Sequence, residues 1–283
     1  MDVGVHLPQV ATTGPTPDLA RALDVVDAAR DLGLAAVSAN DHFAFRRPWL
    51  DGLTLLAAVA GMAGPLDLAT TVALPSMRGP VQLATALATL TRLTSGPVIA
   101  GVGAGSSDRD LTLTGVPVSD KWSRFDESTR ALRALLHGDE VLQPSTPVPI
   151  WVASWGSPAG LRRVAALGDG WLASAYNTTP ADFATGRATL PDDFPAAVAT
   201  MWTWVDGDAA RADRVLVEQV AALVNRDPAE LRDRVCIGTP QRCAALLGAY
   251  ARAGCSRVYL WPVGDEPSQL QRIVTDVLPL VEH

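Results

Sequence analysis

The chain has 283 residues, 48% of them hydrophobic and 19% charged, which suits one α/β barrel with a large buried core. A net charge of −7 argues against nucleic-acid binding, which draws on clustered positive charge. No apolar run reaches the roughly 18 residues of a membrane span, so no membrane partner is expected.

Strand-like residues begin at Val3, and Val3 to Pro8 reads as the first strand. Thr16 and Pro17 read as cap and first turn of a helix over 18–32, with Leu19, Leu23, Val26 and Ala29 on one face and Gly33 past its end. Residues 35–39 read as a second strand, and Asn40-Asp41-His42-Phe43 stands at its C-terminal end. A helix over 52–62 ends at Gly64-Pro65, a third strand covers 66–73, and 75–79 read as its loop before a helix over 80–93.

Pro97 to Val102 is a continuous apolar run, the pattern of a parallel strand buried on both faces, and it feeds the glycine-rich Gly101-Val102-Gly103-Ala104-Gly105-Ser106-Ser107. Glycines here let the backbone turn or let a ligand approach it. The alternative is that they only relieve crowding at the barrel mouth. A dinucleotide fingerprint does not fit. Counted from Gly101, the third glycine position holds Ser106, and 108–119, broken by Gly115 and Pro117, does not read as a helix.

A helix over 122–136 leads to a fifth strand at 149–153, and Ser157-Pro158 caps and opens a helix to Leu167. A sixth strand covers 169–173. Residues 176–195, broken by Gly186, Pro191 and Pro195, show the weakest pattern. A seventh strand over 197–205, helices over 208–224 and near 228–235, and a helix from Thr239-Pro240 to about Ala253 follow. An eighth strand at 256–261 and a closing helix over 269–281 complete the chain. Eight strand–helix alternations without a break in composition predict a single (β/α)₈ barrel domain over 1–283, with a doubly wound open sheet as the alternative.

In such a barrel, chemistry sits at the C-terminal strand ends and the loops that follow. That rule selects His6, Asp41-His42, Thr71-Val72, Arg78, Gly103 to Ser107, Ser154 to Ser157, Tyr176, Trp202, Trp204 and Trp261. Asp41-His42 is the acid–base candidate, because a histidine near its ordinary pKa of about 6.5 gives or takes a proton and a carboxylate can orient it. Adjacent strand residues point to opposite faces, however. His6 reads equally as a ligand or as a hydrogen-bonded core histidine, and His137 and His283 are expected to be inert. The opening of the helix after strand five offers amides and the Ser154 and Ser157 hydroxyls to a phosphate, the alternative being ordinary capping. Eight tryptophans suit aromatic walls around a flat ring, or simple core filling. Cys236, Cys243 and Cys255 lack CxxC spacing and read as reduced thiols of a cytoplasmic protein. The four scattered histidines suggest no metal site. A mouth lined by glycine and aromatics, without built-in redox chemistry, calls for a borrowed cofactor.

The order and spacing of several segments resemble the luciferase-like monooxygenase superfamily, (β/α)₈ barrels that use FMN or the deazaflavin coenzyme F420. The segments are Val5-His6-Leu7-Pro8, Leu32-Gly33-Leu34, Asn40-Asp41-His42-Phe43, the run from Thr71 to Pro80, and Leu87 to Gly96. Gly101-Val102-Gly103-Ala104-Gly105, Phe125-Asp126-Glu127, Pro149 to Ala153, Leu167 to Trp171, Ile237-Gly238-Thr239-Pro240 and Val258 to Trp261 continue the set over nearly the whole chain.

The resemblance implies roles by position. Asp41 and His42 match the pair that faces cofactor and substrate, with His42 handling a proton and Asp41 supporting it or bonding the cofactor. Thr71-Val72 matches the site of a non-proline cis peptide in deazaflavin users. Gly103, Ala104, Gly105 and Ser106 match the loop beside the ring and ribityl chain, and Ala153, Ser154, Trp155, Gly156 and Ser157 match the phosphate-holding turn. His6, Phe43, Arg78, Tyr176 and Trp202 are expected on the substrate side. Glucose-6-phosphate dehydrogenases of the family carry a catalytic glutamate where Ser106 stands, which argues against that reaction here. The luciferases' reactive cysteine has no counterpart near Gly103, which argues against light emission. Residues 176–195 are a short stand-in for a longer segment.

The Asp-His-Phe ending of strand two is closer to deazaflavin users than to the many FMN members with a glutamate–histidine pair. The resemblance therefore implies an F420-dependent oxidoreductase acting on a small organic substrate. Alternatives are an FMN-dependent monooxygenase using oxygen and a flavin-binding barrel without turnover. Relatives often dimerise through barrel helices, so a homodimer is expected by resemblance alone. His42→Ala is expected to cut turnover by about 10²- to 10⁴-fold, the range of a lost acid–base group, with cofactor binding retained. Steady-state kinetics and a cofactor titration check this.

Overall fold

A computed structural model describes residues 1–138 and 142–282, and His283 lies outside them. Nine strands occur in these residues: β1 Asp2–His6, β2 Ala36–Ala39, β3 Asp67–Thr70, β4 Val98–Val102, β5 Ile150–Ala153, β6 Gly170–Ser174, β7 Ala196–Val205, β8 Cys236–Gly238 and β9 Arg257–Pro262. All their pairings are parallel. Strands β1 to β7 pair in order and β9 joins β7 to β1, which closes an eight-stranded ring. The barrel expected from the alternation is therefore present. β8 is an addition that pairs only with the far end of β7, at Thr203, Trp204 and Val205. Three residues are too few to show a strand pattern in the sequence.

β7 serves two neighbourhoods by bending. Its first part pairs with β6, and the register against β9 shifts between Val198 and Met201. Thr200 sits at that shift with φ +58°, a left-handed conformation uncommon for a β-branched residue and typical of a bulge that re-aims a strand.

The helix starts follow local chemistry. Ser157 accepts from the Gly160 amide at 3.2 Å ahead of Pro158, and Thr239 caps the helix Pro240–Arg252, both as the sequence predicts. Four expectations change. Asp18, not Thr16, caps the helix Leu19–Asp31. Pro75–Arg78 forms one helical turn instead of an open loop. Ser107 caps a helix over Asp108–Leu113 where none was expected, since Gly115 and Pro117 fall beyond its end. Thr179 and Asp182 form a reciprocal capping box that stabilises a helix, Pro180–Arg187, inside the weakly patterned region.

Strand alternation divides the core. One face of each strand meets the helices. The other fills the lumen with Ala36, Ala69, Ile99, Trp151, Leu172, Ala197, Ala199 and Tyr259. Two residues further along the same faces come His6, Ser38, Gly101, Ala153, Ser174 and Trp261. On the arc from β2 to β6 this upper layer is made of small side chains. On the β9–β1 side it is aromatic. Gly101 is required there for a second reason, since a Cβ would stand 2.0 Å from the Thr70 carbonyl oxygen. No helix among the described residues is long and apolar enough to cross a membrane.

Gly101→Ala is expected to destabilise the protein by about 1–3 kcal/mol, the cost of overpacking against backbone. Gly207→Ala, where a Cβ meets nothing within 4 Å, should leave stability nearly unchanged. Denaturant melts of the two variants check this.

Candidate active site at the barrel mouth

The segment after β2 is positioned by polar groups drawn from three loops. Gln9, fully buried, donates to the carbonyls of Asn40 at 2.9 Å and Leu50 at 2.6 Å, and its own oxygen accepts the Asn40 amide at 2.7 Å. The Asp41 amide donates to the Val72 carbonyl at 2.9 Å. The peptide between Thr71 and Val72 is cis, at the position where the resemblance implies one. Thr71 Oγ1 donates to Ser38 Oγ at 3.2 Å, so two small hydroxyls share the upper lumen.

Asp41 does not turn toward His42. Its carboxylate accepts from Arg78 Nε at 2.7 Å and Nη2 at 2.6 Å and from the Leu74 amide at 2.9 Å. Burial pushes the Asp41 carboxyl up from its ordinary pKa, opposed by Arg78 and the Leu74 amide. Burial also works against the Arg78 charge, but Asp41 and Asp51 together hold its pKa above the usual value. Arg78 also bonds Asp51, the cap of the helix Gly52–Val59. Its guanidinium lies 5.2 Å from the Phe43 ring. Phe43 and Arg78 line a groove of about 490 Å³ between that helix and Pro80–Leu93. The expectation that Asp41 supports His42 is thus corrected, and Arg78 is already engaged by two carboxylates.

The carboxylate beside His42 is Asp110, in the helix after β4. Its Oδ2 lies 2.8 Å from His42 Nδ1, while its Oδ1 accepts the amides of Phe43 at 3.1 Å and Ala44 at 2.6 Å. The two atoms are in close contact without the alignment of a hydrogen bond. Asp110 is 1% exposed. Sequence reasoning missed it because the stretch looked like a polar loop. The Ser-x-x-Asp spacing from Ser107, whose hydroxyl accepts the Asp110 amide at 3.1 Å, was the available signal of a helix start.

An aromatic group occupies the other side of the mouth. His6 stacks on Trp261 with ring centroids 3.5 Å apart, and Trp202 stacks on Trp261 at 4.2 Å. Trp49 meets Trp261 edge-on at 5.7 Å and lies 4.8 Å from His42, and Phe45 lies 5.0 Å from His42. Trp202 Nε1 donates to the Tyr176 hydroxyl, and the Arg226 guanidinium lies 5.1 Å from the Tyr176 ring. The structure therefore gathers His6, His42, Tyr176 and Trp202, together with Trp49 and Phe45, which strand-end reasoning did not single out.

The expected cofactor residues lie in the segments after β3, β4 and β5. A Cβ on Gly103 would lie 2.7 Å from Val72 Cγ2, so only glycine leaves Val72 its place. Ala104 is buried, Gly105 turns with φ +78°, and Ser106 is exposed. Ala153 ends β5. Ser154 Oγ accepts the Gly156 amide at 3.2 Å, Gly156 turns with φ +91°, and Trp155 is 58% exposed. Since both Ser154 and Ser157 spend their oxygens as acceptors of amides, their O–H protons remain to donate; neither has an acceptor among the described residues. A flat ring against the glycine side and a phosphate at this turn match what the residues offer.

The family model for luciferase-like monooxygenases matches residues 1–192. The F420-dependent glucose-6-phosphate dehydrogenase of Amycolatopsis mediterranei (strain U-32) is 28% identical over 172 residues, 52% of this chain and 51% of that protein. The chain thus spans about half the length of that curated relative. An F420-dependent secondary alcohol dehydrogenase, solved with an F420–acetone adduct, superposes with a TM-score of 0.82 at 19% identity over 100% of this chain and 99% of that one. The monooxygenase RslO1 of Streptomyces bottropensis superposes at 0.79 with 20% identity over 99% of each chain. At these identities the two structures show a shared fold.

Asp110→Asn keeps an acceptor for the Phe43 and Ala44 amides but removes the charge beside His42. Turnover is expected to fall by about 10- to 100-fold, the scale of a lost buried charge-assisted contact, with the melting temperature little changed. Kinetics alongside a thermal melt check this.

Proposed function

The chain belongs to the luciferase-like monooxygenase family, and on that premise we propose that it is an F420-dependent oxidoreductase acting on a small organic substrate. The observation that carries this reading is the two-sided upper layer of the lumen. Small residues on the arc from β2 to β6 leave room for a flat ring, aromatic residues on the opposite side wall a substrate, and His42 stands at the rim with Asp110 behind it. The relative named as F420-dependent supports the cofactor.

Thr71, Val72, Gly103, Ala104 and Gly105 would hold the ring and Ser106 the chain that leaves it, with the hydroxyls of Ser154 and Ser157 donating to a phosphate beside Ala153, Trp155 and Gly156. Bound F420 supplies a carrier that takes or gives a hydride. His42 gives or takes the accompanying proton at the ring nitrogen that faces away from Asp110. Asp41 contributes by anchoring Arg78 and the Leu74 amide, which holds the segment after β3 against the segment after β2. His6, Tyr176 and Trp202 wall the substrate side.

Titration of the purified protein with F420 and, separately, with FMN tests the proposal by fluorescence. Micromolar or tighter binding of F420 with no FMN binding is the expected result. Binding of FMN alone would move the activity to oxygen chemistry with reduced FMN. Binding of neither would remove the enzymatic reading.

A further inference from the structure

His6 is the last residue of β1 and shares its face with Gly4, whose missing Cβ points at the Tyr259 ring and the Ala36 side chain inside the lumen. The imidazole therefore faces inward in the upper layer, where it stacks on Trp261. Its Nδ1 lies 2.8 Å from the Leu7 carbonyl oxygen. A carbonyl only accepts, so Nδ1 carries the proton. In a neutral ring the lone pair of Nε2 is then free to accept. Burial keeps the ring neutral, with its pKa pushed down to about 3. Yet Nε2 is buried with no hydrogen-bond partner among the described residues. The indole N–H of Trp49, against the same Trp261, is a buried donor with none among them either.

Two buried polar atoms of opposite sense, set in an aromatic and aliphatic group, are costly to leave unmatched. Charged ligands fit badly at His6 and Trp49, whose neighbours there are aromatic rings; the cation of this side, Arg226, lies against Tyr176 and donates to Asn177. A hydroxyl on an apolar body fits, since it donates, as His6 Nε2 needs, and its oxygen can still accept. A ketone or an ether accepts only and leaves His6 unmatched.

We propose that the aromatic side of the barrel mouth is a substrate subsite in which His6 Nε2 accepts a hydrogen bond from the hydroxyl of an uncharged, apolar substrate. This rests on the reading that the mouth binds substrate, and it makes His6 a specificity-determining residue. The hydroxyl is a binding handle, whichever bond reacts.

The test uses the whole protein with ¹⁵N-labelled histidine and three probes: cyclohexanol, methoxycyclohexane and cyclohexanone. The last two bracket the alcohol in size and lack the donor. Titrations are followed by NMR with and without F420. Cyclohexanol is expected to move the Nε2 resonance of His6 and to bind roughly 3- to 10-fold more tightly than either other probe, the scale of one net hydrogen bond. In His6→Phe, which keeps a flat ring for Trp261 but no acceptor, that preference disappears while the ether and ketone bind as before.

Equal binding of all three probes by the wild-type protein overturns the proposal, as does an unmoved Nε2 resonance or the absence of any binding up to the solubility limit. Any of these would mean that water serves Nε2. If His6→Phe fails to fold, the wild-type comparison decides alone. Loss of F420 binding with the alcohol preference intact would remove the cofactor reading and leave the subsite standing. F420 binding without the preference would do the reverse.

Discussion

A closed ring of parallel strands has no edge, and from that closure the rest of this structure follows. Once β6 pairs with β7 and β9 with β1, every second side chain must enter a lumen of limited width. The lower layer spends that width on Trp151, Leu172, Ile99 and Tyr259. The upper layer cannot repeat such bulk all the way round. Gly101 and Gly103 have neighbours that leave no space for a methyl group, and Ser38, Ala153 and Ser174 are small. The upper layer is small on one side because the strands there carry almost nothing. It is aromatic on the other because His6 and Trp261 carry a great deal.

The loops that rim this opening hold their shape through carboxylates with assigned partners. Asp41 fastens the loop after β2 to the turn after β3 through Arg78 and the Leu74 amide, and Arg78 reaches on to Asp51. Asp110 fastens the helix after β4 to the same loop through the Phe43 and Ala44 amides and leaves its second oxygen beside His42. Gln9 ties in the loop after β1. His42 is thus held by segments contributed by β1, β2, β3 and β4, which gives a proton-transfer group a defined position on otherwise irregular backbone.

Much of the barrel could be read along the chain. All eight ring strands lie where apolar runs predicted them, and Ser157 and Thr239 cap helices as their spacing with proline implies. Strand ends also pointed to His6, His42, Tyr176, Trp202 and Trp261. The errors have local causes. Asp18 competes with Thr16 for one helix start and wins by bonding the Arg21 amide at 3.0 Å. The Ser107 cap was obscured by the polarity of its helix. β8 exists only because β7 bends at Thr200 and presents its far end for pairing.

Period-two alternation, capping residues and glycine placement act between near neighbours, and so the sequence by itself determined the alternation of strands and helices, the order of the ring strands along the chain and which residues stand at their C-terminal ends. Partner choice among charged and polar side chains was decided by the tertiary structure. Asp41 is next to His42 in sequence and spends its charge on Arg78, while Asp110 reaches His42 across 68 positions of chain because β4 delivers its helix to the same rim. Trp49 and His6 come to share Trp261 in the same way, through ring closure between β1 and β9. Distances across the barrel are set by closure, and closure is a property of all eight strands together.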